Sequence, residues 1–229
     1  MLIKEDFFQT IVEHLFRSGT IAYTYDRIAC DEYEKLIDEI VLNAPSSDAP
    51  NFIQVSGIPG AGKSTFCQRN YSKETIVQFD TIMAQIPQYK KDCDRLGLVQ
   101  AFSKWEMPAR VIGYEVLHRL IEKKASFVLE HSGMNAAHVK LVDVLKKEGY
   151  LTCLQFLYCD LDEACRRALE RAKKISRHTP PQLIKERYLA ILDYLDTYKN
   201  KMDEVWVWDL TDVCKWTVKE RWQNGFLIK

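Results

Sequence analysis

No apolar run in the chain is long enough to span a bilayer, and none of its seven cysteines stands in a C-x-x-C pair. The first absence excludes a helical membrane protein. The second removes the usual zinc and dithiol patterns. The cysteine count is odd and several thiols fall in apolar segments, which fits reduced cysteines in a cytosol better than a disulfide framework. An excess of either charge is missing too. Lys+Arg and Asp+Glu both number 32, so bulk composition argues against a nucleic-acid partner. There is no internal repeat and no low-complexity tract. The first residues, Met1-Leu2-Ile3-Lys4-Glu5-Asp6, carry early acids and no apolar signal-peptide core, so a cytoplasmic location without membrane attachment is expected.

What is present is 229 residues, 47% hydrophobic and 28% charged, enough for one large domain with a substantial core. One stretch organises it: Gly57-Ile58-Pro59-Gly60-Ala61-Gly62-Lys63-Ser64-Thr65 reads G-x-x-x-x-G-K-S, the phosphate-binding loop pattern. The preceding Asn51-Phe52-Ile53-Gln54-Val55-Ser56 reads as a buried strand, and the residues from Ser64 onward can open a helix. Glycines let successive backbone N–H groups converge on one point. The helix N-terminus adds donors and partial positive charge for a polyphosphate. Lys63 can reach the outer phosphates. The Ser64 hydroxyl is placed for Mg²⁺, which takes oxygen ligands.

Residues 1–49 precede this core and predict two amphipathic helices packed on it, with apolar stripes at Phe8, Ile11, Val12, Leu15 and Phe16 and at Tyr33, Leu36, Ile37, Ile40 and Val41. The Pro- and Ser-containing stretch 43–50 reads as a linker. Residues 50–229 are the nucleotide-binding domain. Strands are expected over 75–80, 126–130, 151–158 and 204–209. A polar loop is expected at 92–97, and a long helix from Pro108 to about Lys123. Asp160 and Glu163 form an acidic capping box for a basic helix. Thr179-Pro180-Pro181-Gln182 starts another helix, and a short helix around Trp216 and Trp222 ends the chain. Strands alternating with helices predict an α/β fold, a mostly parallel five-stranded sheet with helices on both faces. Ligands of such sheets bind beyond the carboxyl ends of the strands, where the loop, Asp80 and Glu130 should meet.

Phosphoryl transfer needs a base or positioner, a hold on the acceptor, and cations against the transferring charge. Asp80, at a strand end, is the candidate base; it could equally cap the helix that begins at Thr81. Glu130 is placed to serve the metal shell or the acceptor. Arg167, Arg171 and Lys174 share a helical face, with Arg177 just beyond, and a lid at about 166–180 would bring guanidinium groups onto the phosphates.

Taken together, Gly57–Thr65, Phe79-Asp80, Phe127-Val128-Leu129-Glu130-His131-Ser132-Gly133, Leu169-Glu170-Arg171 and Arg177-His178-Thr179-Pro180 resemble the zeta-toxin family of P-loop kinases over about residues 51–185. The resemblance implies phosphorylation of the sugar of UDP-N-acetylglucosamine with ATP or GTP and magnesium. It implies that Gly57, Gly60, Ala61, Gly62, Lys63, Ser64 and Thr65 bind the nucleotide, with Ser64 on the metal. Asp80 would be the base, and Arg171 and Arg177 would stabilise the transferring phosphate. Glu130, Ser132 and, on a looser match, Glu115 would bind the acceptor. A small helical antitoxin is implied as partner. Met134 stands where an arginine is common in the family, which bears on the acceptor's identity. The alternatives are a kinase of another hydroxyl (nucleoside, antibiotic or polynucleotide end) and a nucleotide-dependent switch without an acceptor.

Overall fold

A computed structural model describes residues 33–132, 134, 136–175 and 179–229. The first predicted N-terminal helix, Cys30 and Arg177 lie outside these residues. Helix α1 (Glu34–Leu42) leads into strand β1 (Asn51–Ser56), the phosphate loop and helix α2 (Lys63–Asn70). Strand β2 (Ile76–Gln78) runs directly into α3 (Phe79–Gln85), followed by α4 (Pro87–Leu96) and α5 (Leu98–Glu122). Then come β3 (Phe127–Glu130), α6 (Ala136–Lys147), β4 (Leu151–Tyr158), α7 (Leu161–Ile175) and α8 (Pro181–Lys201). Strands β5 (Glu204–Asp209), β6 (Thr217–Gln223) and β7 (Phe226–Leu227) complete the chain.

The sheet order is β2-β3-β1-β4-β5-β6-β7. The first five strands are parallel, and β6 and β7 add antiparallel. The sheet therefore has seven strands, not the five expected. The difference is the C-terminal ribbon, expected as a short helix. Strand β6 pairs antiparallel with β5, with Trp222 opposite Val205, Arg221 opposite Trp206 and an irregularity beside Val207 and Trp208, and it covers the edge that β5 would otherwise expose. Two further expectations change. Residues 92–96 belong to α4, because Asp92 turns inward to partners on α5 and does not point to solvent. Helix α5 begins at Leu98 and runs through Pro108, although the proline removes one backbone donor.

The core lies between sheet and helices. Phe52, Leu129, Phe127 and Leu154 from the strands meet Ile112, Leu117 and Leu120 of α5, all essentially buried. Each fully buried aliphatic or aromatic side chain of this kind contributes roughly 1.5–3 kcal/mol. Helix α1 docks on α5, where Arg119 bonds Glu34, Asp38 and Glu115. Helix α2 is held from beneath by aromatic rings: Phe66 meets Trp208 and Trp216 at centroid distances of 5.5 and 5.6 Å.

Candidate active site

The register of the sheet builds the site. Val55 of β1 lies beside Glu130 of β3, and Glu130 lies beside Gln78 of β2. Three strands thus end together, and the chain leaves each of them at the same edge. From β1 it enters the phosphate loop. Gly60 takes φ +89° and Gly62 takes φ +94°, the latter as the residue that caps α2. The Lys63 ammonium donates to the carbonyls of Gly57 and Ile58 at 2.8 and 3.1 Å, which keeps it inside the loop.

Beyond the loop the polar groups form a chain. Thr81 Oγ1 donates to Gln78 Oε1 at 2.8 Å, and Gln78 Nε2 donates in a short bond to Glu130 Oε2. The other carboxylate oxygen, Oε1, accepts from Ser64 Oγ at 3.0 Å. The acid expected on the metal shell therefore faces the serine expected on the metal. A hydroxyl and a carboxylate are the oxygen donors that Mg²⁺ prefers. Among the described residues no group of three His, Cys, Asp or Glu could hold a metal by itself. The residues present fit an ion whose remaining ligands come from phosphate and water. Ser64 and Glu130 would hold it, and it would screen charge on the phosphates.

A cleft of about 220 Å³ opens at this edge. Lys63, Ser64, Asp80, Glu130, Ser132 and Arg171, all marked from the sequence, line it together. Asp80 lies in the first turn of α3, and the residue at the cap position is Gln78. Its place is set by Phe79, whose ring fits over Gly113 of α5; a Cβ there would lie 2.4 Å from the ring. Arg171 reaches the cleft from α7. Burial lowers its pKa, and the attraction of Glu130 works against that shift. Its Nε is buried with no hydrogen-bond partner among the described residues. Helix α7 is fixed at its start: Asp160 Oδ1 accepts from the N–H groups of Asp162 and Glu163 at 3.0 and 3.1 Å. Arg167 does not reach the cleft. It donates to the carbonyls of Leu210 and Thr211 at 3.0 and 2.6 Å and so ties α7 to the end of β5.

Other marked residues fall elsewhere. Glu115 does not line the cleft; it pairs with Arg119 at 2.9 Å. Ala61 is buried in the loop and Thr65 is exposed on α2. Met134 is 2% exposed, part of the core and not a wall of the cleft. Among the residues that the sequence did not flag, Gln78, Glu106, Arg110 and Arg187 also line the cleft. Glu106 and Arg110 stand four apart on one helix and bond at 2.9 Å, a local signal that could have found them. Arg187 has no such signal. Cys67, behind the loop, is pushed up to about 12 by burial, with Glu130 adding to the shift and Lys63 opposing it, so its thiol stays protonated. The six described cysteines are free, and no described helix is long and apolar enough to cross a membrane.

No curated protein sequence matches the chain. Several solved structures share its fold. One is from the PezAT chromosomal toxin–antitoxin system of the human pathogen Streptococcus pneumoniae, with TM-score 0.71 and 15% identity over 86% of this chain and 83% of that one. Another is AvrRxo1-ORF1:AvrRxo1-ORF2 with sulphate ions, with TM-score 0.66 and 12% identity over 94% and 72%. The same complex with ATP gives TM-score 0.65 and 12% identity over 86% and 68%. At such identities the likeness is one of fold. A family profile described as Zeta toxin matches residues 35–220. With most of its length inside that profile and its sheet in the P-loop kinase arrangement, the chain belongs to the zeta-toxin family.

Proposed function

We propose that this protein is a P-loop kinase that transfers the γ-phosphoryl group of ATP or GTP to a hydroxyl of a small molecule, the sugar of UDP-N-acetylglucosamine foremost. The observation that carries the reading is the convergence of Lys63, Ser64, Asp80, Glu130 and Arg171 on one cleft at the carboxyl edge of the sheet. A switch without an acceptor needs the loop and the metal. It does not need a carboxylate and a half-buried arginine aimed into the same space.

In this reading the acceptor hydroxyl lies between Asp80 and the γ-phosphorus. Its oxygen forms the new P–O bond as the bridging P–O bond to the nucleoside diphosphate breaks. The proton passes to the Asp80 carboxylate. Lys63 and the guanidinium of Arg171 meet the charge on the transferring group, with Arg177 in the same role. Glu130 holds the Ser64 hydroxyl, and the two would be the protein's ligands to a magnesium ion; Ser132 holds the acceptor. A neighbour crystallised with ATP supports ATP as donor. A neighbour from a toxin–antitoxin system supports an antitoxin partner, which the family resemblance makes a small helical protein. Six free thiols and the absence of a described membrane-crossing helix are in keeping with a cytoplasmic setting.

The test is transfer of label from γ-labelled ATP with Mg²⁺ to UDP-N-acetylglucosamine. Lys63→Ala and Asp80→Asn are each expected to cut transfer by two orders of magnitude or more while unfolding midpoints stay near that of the parent. Full activity in Asp80→Asn would remove the proposed base. ATP binding with no phosphorylated sugar nucleotide would send the search to nucleosides, antibiotics and RNA ends.

A further inference from the structure

The wall of the cleft made by α5 and α8 carries more positive charge than the donor nucleotide's site needs. Arg110 projects from α5 and Arg187 from α8, and both line the cleft. One carboxylate, Glu106, serves the two of them, and it bonds Arg110 at 2.9 Å. Arg187 makes no ion pair or hydrogen bond with any described residue. Burial lowers its pKa, repulsion from Arg110 lowers it further, and Glu106 offsets only part of the effect. A guanidinium taken partly out of water and set beside a second guanidinium destabilises the fold unless something supplies negative charge. Arginine is also the side chain whose forked donors match phosphate oxygens two at a time.

The place of this pair separates it from the phosphate loop. Arg110 lies over the ring of Phe79, its guanidinium carbon 5.9 Å from the centroid, and Phe79 is the residue before Asp80. The uncompensated charge thus lies on the side of the candidate base. Lys63 and Arg171 lie with Ser64 and Glu130 on the side of the loop.

We infer that Arg110 and Arg187 form a second anion subsite, which takes a phosphate or diphosphate group on the acceptor and sets its hydroxyl toward Asp80. The inference deepens the kinase reading and rests on it: the acceptor is itself a phosphorylated small molecule, and a diphosphate-linked sugar meets that requirement where a free sugar does not. Glu106 then acts as the internal competitor, releasing Arg110 when the ligand's anion arrives.

The experiment needs no turnover. The full chain is loaded with Mg²⁺ and a saturating non-hydrolysable ATP analogue, which fills the phosphate loop, and inorganic pyrophosphate is titrated in by calorimetry. The parent should bind one further equivalent. Arg187→Gln and Arg110→Gln should each weaken that event by at least about tenfold, the loss expected for a charge-assisted bond. Glu106→Gln should tighten it, and Arg187→Lys should keep part of it. Thermal unfolding of each loaded variant controls for folding. In the transfer assay Arg187→Gln should raise the acceptor KM with little change in kcat. No binding of pyrophosphate to the loaded parent, or binding indifferent to both arginines, would overturn the subsite. So would Arg187→Gln that weakens the ATP analogue itself, since the arginine would then serve the donor. Failure of UDP-N-acetylglucosamine as acceptor would count against the proposed acceptor and leave the pyrophosphate result standing.

Discussion

Gly60 holds φ +89° and comes so near α7 that an added Cβ would lie 2.2 Å from the carbonyl oxygen of Ala164. Both conditions exclude any other residue. The backbone conformation alone costs a side-chain-bearing residue about 1–2 kcal/mol, and the clash is with backbone that cannot rotate away. Gly60→Ala is therefore expected to lower stability by at least about that amount in denaturant titration and to abolish ATP binding. Parental ATP affinity in this variant would mean that the loop is not held against α7. Glycines of this sort are legible in sequence, because the loop motif is local and its spacing carries the chemistry. The same holds for Glu130, which ends β3; Asp80 was expected at the end of a strand over 75–80, but β2 stops at Gln78 and Asp80 stands in the first turn of α3. Arg187 and Gln78 were not legible. Arg187 gains its meaning from Arg110 on another helix, and Gln78 from a strand neighbour distant in the chain. Glu115 shows the converse. The family resemblance put it loosely at the acceptor, but the side chain turns to Arg119 and the docking of α1, while Glu106 faces the cleft.

Helices α4 and α5 are joined through one buried carboxylate. Asp92, 6% exposed, accepts from Lys104 at 2.6 Å, Arg95 Nη2 at 2.6 Å and Trp105 Nε1 at 2.9 Å. The bond from Lys104, then those from Arg95 and Trp105, hold its pKa well below the ordinary carboxylate range. A folded pKa depressed in this way gives stability that is present above the unfolded value of about 3.9 and is lost as pH falls toward the folded one. Asp92→Asn should thus lower the denaturation midpoint at pH 7, and the gap between variant and parent should shrink steadily below about pH 4. A gap unchanged by pH would mean that the charge contributes nothing. The stretch around Asp92 reads as a loop because polar residues dominate it; its helix exists through partners on α5 that no local pattern announces. The segment between Trp216 and Trp222 misled in a similar way. Its strand is fixed by what β5 lacks on its outer edge, a property of the sheet and not of residues 217–223.

Across the whole molecule the alternation of strand and helix was enough to give the parallel sheet and the edge at which the site lies. The C-terminal ribbon was the part that alternation could not supply. It stitches the ends of the fold together: Lys199 of α8 pairs with Glu220 at 2.9 Å, Lys219 pairs with Asp209 at 2.8 Å, and Arg221 lies 4.3 Å over the ring of Trp206. Trp216, just before β6, also supports Phe66 beneath α2. Deleting residues 216–229 should therefore uncover the edge of β5 and loosen the phosphate-loop helix together. Light scattering should report association, and ATP affinity should fall even in the monomeric fraction. A monodisperse, fully ATP-competent truncation would show that the ribbon is an ornament. One further consequence concerns the placing of Arg171. The first turns of α7 are clamped three times over, by the Asp160 cap, by Ala164 against Gly60 and by Arg167 on the β5 exit. Arg171 comes only after these clamps. The helix is thus seated on the phosphate loop itself, and Arg171, about two turns past Ala164, is carried into the cleft by the same element that the loop's glycine touches.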